Sequence, residues 1–371
     1  MKSFGIKPDI KFGEDSLSFL KTLPYKKYFI VTDSMMVQLK LIDKIIDNLG
    51  SDCMIKVFDK VLPNPTVEIV EEGVAEYLTF EPECVIALGG GSPIDACKAI
   101  LYFGDKIFNL LNQPKDRMFI AVPTTSGTGS EVTSYSVITC GNRKIALTED
   151  KMLPNVALLN PDFMKTLPKK VVADTGMDVL THALEAYVSK NSNPFTDALA
   201  LESIKTVFEH LLAHYEDRQT LVPREKIQYA SCMAGIAFNN SSLGINHSIA
   251  HSIGAKFHIP HGRANAVLLP YIIEVNSNAN EKYSQVANML GITKEIEVEG
   301  KTALKILVEI LKEKMEIPKS LKDMGIDFEE FRKEIPNILA DIKKDVCTVY
   351  NPNELSDEEY VKLLLKIYFG E

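Results

Sequence analysis

Aspartate and histidine side chains recur at helical spacing in the second half of the chain. Asp178 and His182 stand four residues apart in MDVLTHALEA, and His247 and His251 repeat that spacing in INHSIAHSIG. A helix places residues i and i+4 on one face, so the members of each pair can point at the same ligand. Carboxylate and imidazole groups together suit a divalent ion such as Fe²⁺, Zn²⁺, Mn²⁺ or Co²⁺. These residues therefore predict a metal centre.

The histidines are also unevenly distributed along the chain. There are seven, and four of them fall between positions 247 and 261, where FHIPHG supplies the last two. Asp178 would contribute one negative charge and three neutral imidazoles would complete four ligands, which leaves room for substrate or water. Spacing alone is not diagnostic. His210 and His214 also stand four residues apart, in an ordinary polar stretch, and a packed or exposed role is the simpler interpretation for them.

Two loops have the composition of phosphate-binding segments. GGGSPIDACK, residues 89–98, separates an apolar run from a helical pattern, and its glycines would let the backbone approach an anion at a helix N-terminus. PTTSGTGSEVTS, residues 123–134, follows another apolar run and offers hydroxyls for phosphate, ribose or carboxamide. Ligands of parallel sheets bind beyond the carboxyl ends of the strands, so two such loops predict a nucleotide site. Neither loop fits G-x-G-x-x-G or the P-loop pattern.

Asp33 stands at the end of the first strand-like run. Its carboxylate could accept hydrogen bonds from an adenosine ribose and would repel a 2′-phosphate, which favours NAD over NADP. The alternative interpretation is a helix N-cap, and one carboxylate can fill both roles.

Alternating β-rich and helical segments must position the two loops in the first half of the chain. The strand-like runs are KYFIVT (27–32), CMIKVFD (53–59), CVIALGGG (84–91), MFIAVPTT (118–125) and VALLNP (156–161), with helical patterns at 67–80 and 93–103. SYSVIT (134–139) and KIALTE (144–149) predict a β-hairpin. Strands that alternate with helices indicate a parallel sheet covered on both faces.

After about residue 165 long helical patterns dominate and strand-like runs become scarce. Leu-Pro and Thr-Gly pairs at 167–168 and 175–176 indicate a break in the chain nearby. The predicted fold is therefore an α/β N-terminal dinucleotide-binding domain, residues 1–176, followed by an all-α C-terminal metal-binding domain, residues 177–371.

Composition excludes several other classes of protein. Of the 371 residues 46% are hydrophobic and 25% charged, as in an ordinary globular protein. The net charge of 41 − 50 = −9 is poorly suited to nucleic acid or anionic membranes. No apolar run approaches the ~18–20 residues that span a bilayer, and the first residues lack the apolar core of a signal peptide. Six scattered cysteines without a CxxC predict reduced thiols in a cytoplasmic protein.

Four segments in this order resemble signatures of the iron-containing (group III) alcohol dehydrogenases. They are GGGSPIDACK, PTTSGTGSEVTS, TGMDVLTHALEAYVS and GINHSIAHSIGAKFHIPHGRANA, so that the resemblance covers essentially the whole chain. It implies a dehydroquinate synthase-like fold and, as metal ligands, Asp178, His182, His247 and His261. The ion implied is Fe²⁺, with Zn²⁺ as the alternative. The chain is most similar to the 1-propanol dehydrogenase branch, which is associated with propanediol utilisation.

The same resemblance implies positions for the cofactor NAD(H), the substrate and a proton relay. His251 matches a histidine near the nicotinamide and the substrate that relays protons, and Phe238 matches an aromatic residue on the substrate side. The residues implied to contact NAD(H) are Asp33, Asn64, Gly90, Gly91, Ser92, Asp95, Thr124, Thr125, Thr128, Thr133, Val137 and Lys144.

The implied activity is hydride transfer between a small primary alcohol, such as 1-propanol, ethanol, butanol or a short diol, and its aldehyde. The expected location is the cytoplasm or a bacterial microcompartment, and the expected state is a homodimer or larger homo-oligomer. A dehydroquinate synthase-like lyase, which would produce no net NADH, and glycerol dehydrogenase-like polyol oxidation are alternatives, although the proteins they resemble use three protein ligands. A non-catalytic nucleotide- or metal-binding scaffold is the remaining alternative.

Overall fold

The computed structural model describes residues 4–113, 116–141, 143–292 and 299–371, without the side chain of Arg143. The chain forms two compact units that are divided between Leu167 and Pro168. The predicted boundary at residue 176 instead falls inside the helix Lys169–Val188. Gly176 does not break this helix. A Cβ at this position would overlap the side chain of Leu211, so the glycine serves close packing between two helices.

The first unit contains a six-stranded parallel sheet and a separate antiparallel hairpin. In chain order the strands of the sheet are β1 (Asp9–Phe12), β2 (Lys27–Val31), β3 (Met54–Phe58), β4 (Cys84–Gly89), β5 (Met118–Pro123) and β8 (Val156–Leu159), and those of the hairpin are β6 (Tyr135–Cys140) and β7 (Arg143–Thr148). The spatial order is β1-β8-β5-β4-β2-β3. The predicted parallel sheet and hairpin are confirmed. Strand β1 is additional: with two charged residues among four, it forms no apolar run.

Helices cover both faces of this sheet. They are α1 (Ser34–Gln38), α2 (Asp43–Ile46), α3 (Val67–Phe80) and α4 (Gly91–Leu110). Side chains alternate between the faces along a strand, so Val85 and Ala87 of β4 enter the core formed with α3 and α4. Ile86 and Leu88 enter the opposite core, formed with α1 and α2. All six residues of β4 are consequently buried, which explains its continuous apolar run.

The order of the strands brings the predicted cofactor segments to one edge of the sheet. Strands β2, β4 and β5 are consecutive neighbours and parallel. Asp33 follows β2, the loop beginning at Gly89 follows β4, and the loop beginning at Pro123 follows β5. The chain crosses from one side of β2 to the other here, which is the switch point where open parallel sheets bind ligands.

The second unit is helical throughout its described residues. Its helices are α5 (Lys169–Val188), α6 (Pro194–Glu216), α7 (Leu221–Ser241), α8 (Ile245–Phe257), α9 (His261–Val275), α10 (Asn280–Met289), α11 (Gly300–Lys314), α12 (Phe328–Lys344) and α13 (Asp357–Phe369). Helix α5 is buried continuously from Gly176 to Val188, so any polar residue in that stretch requires a partner. Within the described ranges, no helix has the length and apolarity needed to cross a membrane.

One histidine of this unit should make folding stability depend on pH. His214 of α6 is only 1% exposed, and its Nδ1 has no hydrogen-bond partner. Burial, assisted by the charge of Arg224, lowers its pKa from 6.5 to about 4. The unfolded state therefore binds the proton more readily, so the contribution of His214 to stability is complete above pH 6.5 and declines as the pH falls towards 4. We expect about 2 kcal/mol to be lost between pH 7.5 and pH 5.

Chemical unfolding of wild type and His214→Phe at both pH values measures this contribution. The variant should lose about 2 kcal/mol less than wild type on acidification, because every other titrating group is common to the two proteins. Equal losses would show that His214 does not carry the pH dependence.

Candidate metal centre and cofactor loops

Three helices bring the four predicted metal ligands together. Asp178 and His182 lie one turn apart on the buried stretch of α5, His247 lies on α8, and His261 is the first residue of α9. One ligand atom from each of the four lies within 4.8 Å of the others. Three of the residues are buried, while His261 is partly exposed.

The electrostatics of the cluster favour a cation. Burial raises the pKa of Asp178 to about 8, and no lysine or arginine of the described chain forms an ion pair with it. Its Oδ1 lies 3.8 Å from Nε2 of His247 and 3.7 Å from Nε2 of His261. One carboxylate and imidazole nitrogens thus converge without a balancing positive charge, and this donor set fits a divalent ion such as Fe²⁺ or Zn²⁺.

The amide of Asn265 lies against the same group of ligand atoms. Its Nδ2 donates to Oδ1 of Asp178 (2.7 Å) and lies 3.1 Å from Nε2 of both His247 and His261. An amide nitrogen only donates, and its second hydrogen can serve one of the two imidazoles, so these contacts place Nε2 of both rings around one small volume.

Aromatic stacking holds two of the ligands in place. The ring of Phe238, on α7, stacks on His182 with centroids 4.5 Å apart, and His182 stacks on His247 with centroids 4.6 Å apart. Phe238 is largely buried in this arrangement. The structure thus places Phe238 beside the metal centre, and its contact with substrate stays a prediction.

His251 lies next to the ligands with a carboxylate behind it. Its ring stacks on that of His261 at 5.3 Å between centroids. Its Nδ1 donates to Oδ2 of Asp345 (2.8 Å), just beyond α12. Burial would raise the pKa of Asp345, but hydrogen bonds from His251 and Cys347 hold it below its usual range. With Nδ1 bonded in this way, Nε2 of His251 is the atom that can exchange a proton.

Two further residues next to the ligands were missed by sequence reasoning, and only Glu185 continues a helical pattern that was noticed. Glu185 follows Asp178 and His182 at i+7 and i+3 on α5, and Asn265 follows His261 at i+4 on α9. A polar residue that extends a face in an otherwise buried helix is the signal that could have found them. His258, by contrast, is an exposed C-cap residue of α8 in the left-handed conformation.

In the first unit the two predicted cofactor loops pack on each other. A Cβ added at Gly90 would lie 3.2 Å from Oγ1 of Thr125, and one at Gly91 would lie 2.9 Å from Cγ2 of Thr128. The glycines therefore allow close approach. Gly90 is also the N-cap of the 20-residue helix α4 and provides no side-chain cap, so backbone amides face the loop as an anion site requires. These features fit a dinucleotide pyrophosphate.

Buried polar contacts hold the two loops together from beneath. Lys98 of α4 donates to the carbonyl oxygens of Thr133 and Tyr135 (both 2.8 Å) and to Oγ of Ser130 (3.1 Å). Asp95 accepts from Oγ of Ser130 (2.6 Å) and from the backbone N–H of Val137 (3.1 Å). Asp95, Thr133 and Val137 thus form part of the framework of the loops, and their contact with NAD(H) stays a prediction.

The other predicted cofactor residues lie around the same unit at different degrees of exposure. Asp33 caps α1, because its Oδ1 accepts from the N–H groups of Met35 (2.9 Å) and Met36 (3.1 Å). Asn64 is exposed and left-handed, with φ 57°, and Lys144 is exposed on β7 opposite Thr139. Thr124 is buried, and Ser92 is partly buried in the first turn of α4.

A parallel α/β unit with paired cofactor loops and a helical unit with an Asp-His₃ cluster define the class of a metal-dependent dinucleotide enzyme. The sequence model of the iron-containing alcohol dehydrogenase family matches residues 8–161. A second sequence model, for the C-terminal part of the same family, matches residues 172–368. The chain belongs to the iron-containing alcohol dehydrogenase family. It is an oxidoreductase that interconverts alcohols and aldehydes, and its cofactors are NAD(H) and a metal ion of the iron type.

Individual relatives support this placement over their full lengths. The chain is 40% identical to the NADPH-dependent butanol dehydrogenase of Clostridium saccharobutylicum, covering 100% of this chain and 99% of that one. It is 37% identical to the 1-propanol dehydrogenase PduQ of Citrobacter freundii, with 99% of each covered. Among solved structures, the iron-containing alcohol dehydrogenase of Thermococcus thioreducens is similar with a TM-score of 0.91 and 32% identity over 100% of both chains. The similarity to PduQ agrees with the predicted branch.

Proposed function

We propose that the protein prefers NAD(H), reduces short-chain aldehydes and oxidises the corresponding primary alcohols, such as 1-propanol, ethanol, butanol or a short diol. The convergence of Asp178, His182, His247 and His261 within 4.8 Å carries the proposal. Relatives named for butanol and 1-propanol support the size of the substrate. We also propose Fe²⁺ as the ion, with Zn²⁺ as a substitute that binds such ligands more tightly in the usual order of affinities.

The residues of the second unit have separable roles in this reaction. Asp178 and the three ligand histidines would hold the ion in a largely buried site, where electrostatic interactions are stronger than in water. When bound, the ion supplies Lewis acidity towards the substrate oxygen, and NAD(H) supplies or accepts the hydride. His251 holds a transferable proton at Nε2 while Asp345 fixes its Nδ1. Stacking by Phe238 keeps His182 in its ligand orientation.

An anaerobic NADH-linked assay tests the proposal. The purified protein is reconstituted with Fe²⁺ or Zn²⁺ and assayed with aldehydes of about two to six carbons. The substrate of dehydroquinate synthase and glycerol serve as comparison compounds. We expect NADH oxidation that depends on the ion and is greatest with an unbranched short aldehyde. Turnover of the dehydroquinate synthase substrate without net change in NADH would instead favour a lyase.

Replacing His251 should separate proton transfer from metal binding. His251→Ala should retain the ion, because His251 is not among the four convergent ligands, yet it should slow kcat by about 10²- to 10⁴-fold, the usual contribution of a positioned acid or base. Metal content by elemental analysis and kcat per bound ion give the two quantities. Loss of the ion with an unchanged rate per bound ion would make His251 a ligand and contradict the proposed division of roles.

Asp33 should determine the preference for NAD over NADP. Asp33→Asn keeps an oxygen to cap α1 but removes the charge that would repel a 2′-phosphate. We expect the ratio of kcat/KM for NADPH to that for NADH to rise by at least about 10-fold, equivalent to ~1.4 kcal/mol. The relative named as NADPH-dependent makes this test informative. Asp43→Asn on the neighbouring helix α2 is the control. An unchanged kcat/KM ratio in Asp33→Asn would show that other residues determine the preference for NAD.

We further propose a homodimer or larger homo-oligomer in the cytoplasm or in a bacterial microcompartment. Strand β1 lies at one edge of the described sheet and exposes Phe12, and such an edge can pair with a second chain. The similarity to PduQ supports the microcompartment as the alternative location. Sedimentation analysis of wild type and Phe12→Lys would measure the oligomeric state and the contribution of this edge.

A further inference from the structure

Glu185 is a buried carboxylate placed behind one of the metal ligands. It lies on α5, one turn beyond His182, and is 3% exposed. Its Oε2 is 2.5 Å from Nδ1 of His247, and its Oε1 accepts from the backbone N–H of Asn246 (2.7 Å). Gly244 leaves the space for this contact, since a Cβ there would come within 2.8 Å of Oε1.

This contact determines which nitrogen of His247 can bind an ion. An ionised Glu185 can only accept hydrogen bonds, so opposite it Nδ1 of His247 carries the proton and Nε2 keeps its lone pair. Nε2 is the atom that lies 3.8 Å from Oδ1 of Asp178, inside the cluster. A carboxylate in this position also makes the imidazole a stronger ligand.

The charges around the cluster also favour binding of a cation. Asp178 and Glu185 are both buried, and neither forms an ion pair with a lysine or arginine of the described residues. When both are ionised beside neutral imidazoles, their two negative charges would balance those of a bound divalent cation.

We propose that Glu185 is a positioning residue that fixes the tautomer and orientation of His247 and thereby determines the affinity of the centre for divalent cations. This inference rests on the proposed metal centre. Glutamine at position 185 would conserve size but has a single oxygen for two donors, Nδ1 of His247 and the N–H of Asn246. Its amide NH₂ would then face one of them, so the tautomer of His247 would no longer be fixed.

The test measures Co²⁺ binding to the metal-free protein, by visible absorption and by competition with a chelator. We expect Glu185→Gln to weaken Co²⁺ binding by about 10- to 100-fold, the usual effect of losing a carboxylate behind a ligand histidine. Glu274→Gln, the same change at a partly buried glutamate of α9 that pairs with Lys305 and Lys366, should bind Co²⁺ as wild type does. Thermal unfolding of the metal-free proteins reports folding separately.

Three outcomes distinguish the possibilities. Wild-type affinity in a folded Glu185→Gln protein would overturn the inference while leaving the metal centre in place. Failure of wild type to bind Co²⁺, or binding that survives removal of His261, would overturn the proposed metal centre and the inference with it. If Glu185→Gln does not fold, Glu185→Asp decides the question: it keeps the charge but shortens the side chain, so weakened Co²⁺ binding supports positioning and wild-type binding refutes it.

Discussion

His261→Ala should remove the metal ion and turnover together. His261 provides one of the four convergent ligand atoms, and the remaining three would have to hold the ion at the partly exposed side of the site. Loss of a Lewis acid worth several kcal/mol corresponds to a fall in kcat/KM of at least about 10³-fold. The effect on folding should be small, because this side chain is 30% exposed. Metal content after dialysis, measured beside the NADH-linked rate, gives both results.

His210→Ala provides the matched control for this variant. His210 shares the i, i+4 spacing with His214 on α6 but does not belong to the ligand cluster. We expect wild-type metal content and rate from it. Full activity in metal-free His261→Ala would show that the cluster is not the catalytic centre, and retention of the ion with loss of activity would remove His261 from the ligand set and overturn the proposed four-ligand centre.

Lys98→Met should strongly destabilise the first unit. Lys98 is fully buried, and burial lowers its pKa to about 8, so it stays predominantly charged at pH 7. Its removal leaves the carboxylates of Asp95 and Glu131 without their buried cation, and burial already raises the pKa of Glu131 to about 7. The carbonyl oxygens of Thr133 and Tyr135 also lose their buried charged donor, and leaving several buried acceptors unpaired costs about 3–5 kcal/mol. The free energy of unfolding in urea measures the cost.

The same substitution should also weaken dinucleotide binding. Lys98 joins the helix after the glycine loop to the carbonyl oxygens of Thr133 and Tyr135, so its loss would let the two loops separate. We expect KM for NADH to rise more than kcat falls. Lys106→Met, at an exposed position of the same helix, should change stability by no more than about 0.5 kcal/mol. A Lys98→Met protein within 1 kcal/mol of wild type would show that the network is not needed for folding.

Much of the fold followed from local patterns. The apolar runs at 27–32, 84–91 and 118–125 correspond to β2, β4 and β5, because strands buried on both faces must be apolar at every position. Strand β1 could not be found in this way, since its pairing with β8 depends on residues about 147 positions away. In the sequence, Gly176 was interpreted as a sign of a chain break. Its role in close packing could not be recognised there, because Leu211, the residue it packs against, belongs to another helix.

The residues of the candidate site likewise fall into those predicted from the sequence and those found only in the structure. Helical spacing and residue chemistry predicted the Asp178–His182 and His247–His251 pairs, and the resemblance to a family selected His247 and His261 as ligands and His251 as the relay. Sequence reasoning missed Glu185, Asn265 and Asp345, because hydrogen bonds between different helices give them their roles. Asp95 shows the reverse case: its predicted contact with cofactor is untested, whereas its bonds to Ser130 and Val137 are visible.

The class of protein, the order of its two halves and the residue types available for a metal ion and a dinucleotide could all be predicted from the sequence. These properties depend on periodicity and side-chain chemistry, which are written along the chain. The folded chain was needed to show which donors converge, which nitrogen of His247 faces the other ligands and which polar groups are used internally. Such features depend on burial and on distances between residues that are remote in sequence, because a hydrogen bond forms only when donor and acceptor are within about 3.5 Å.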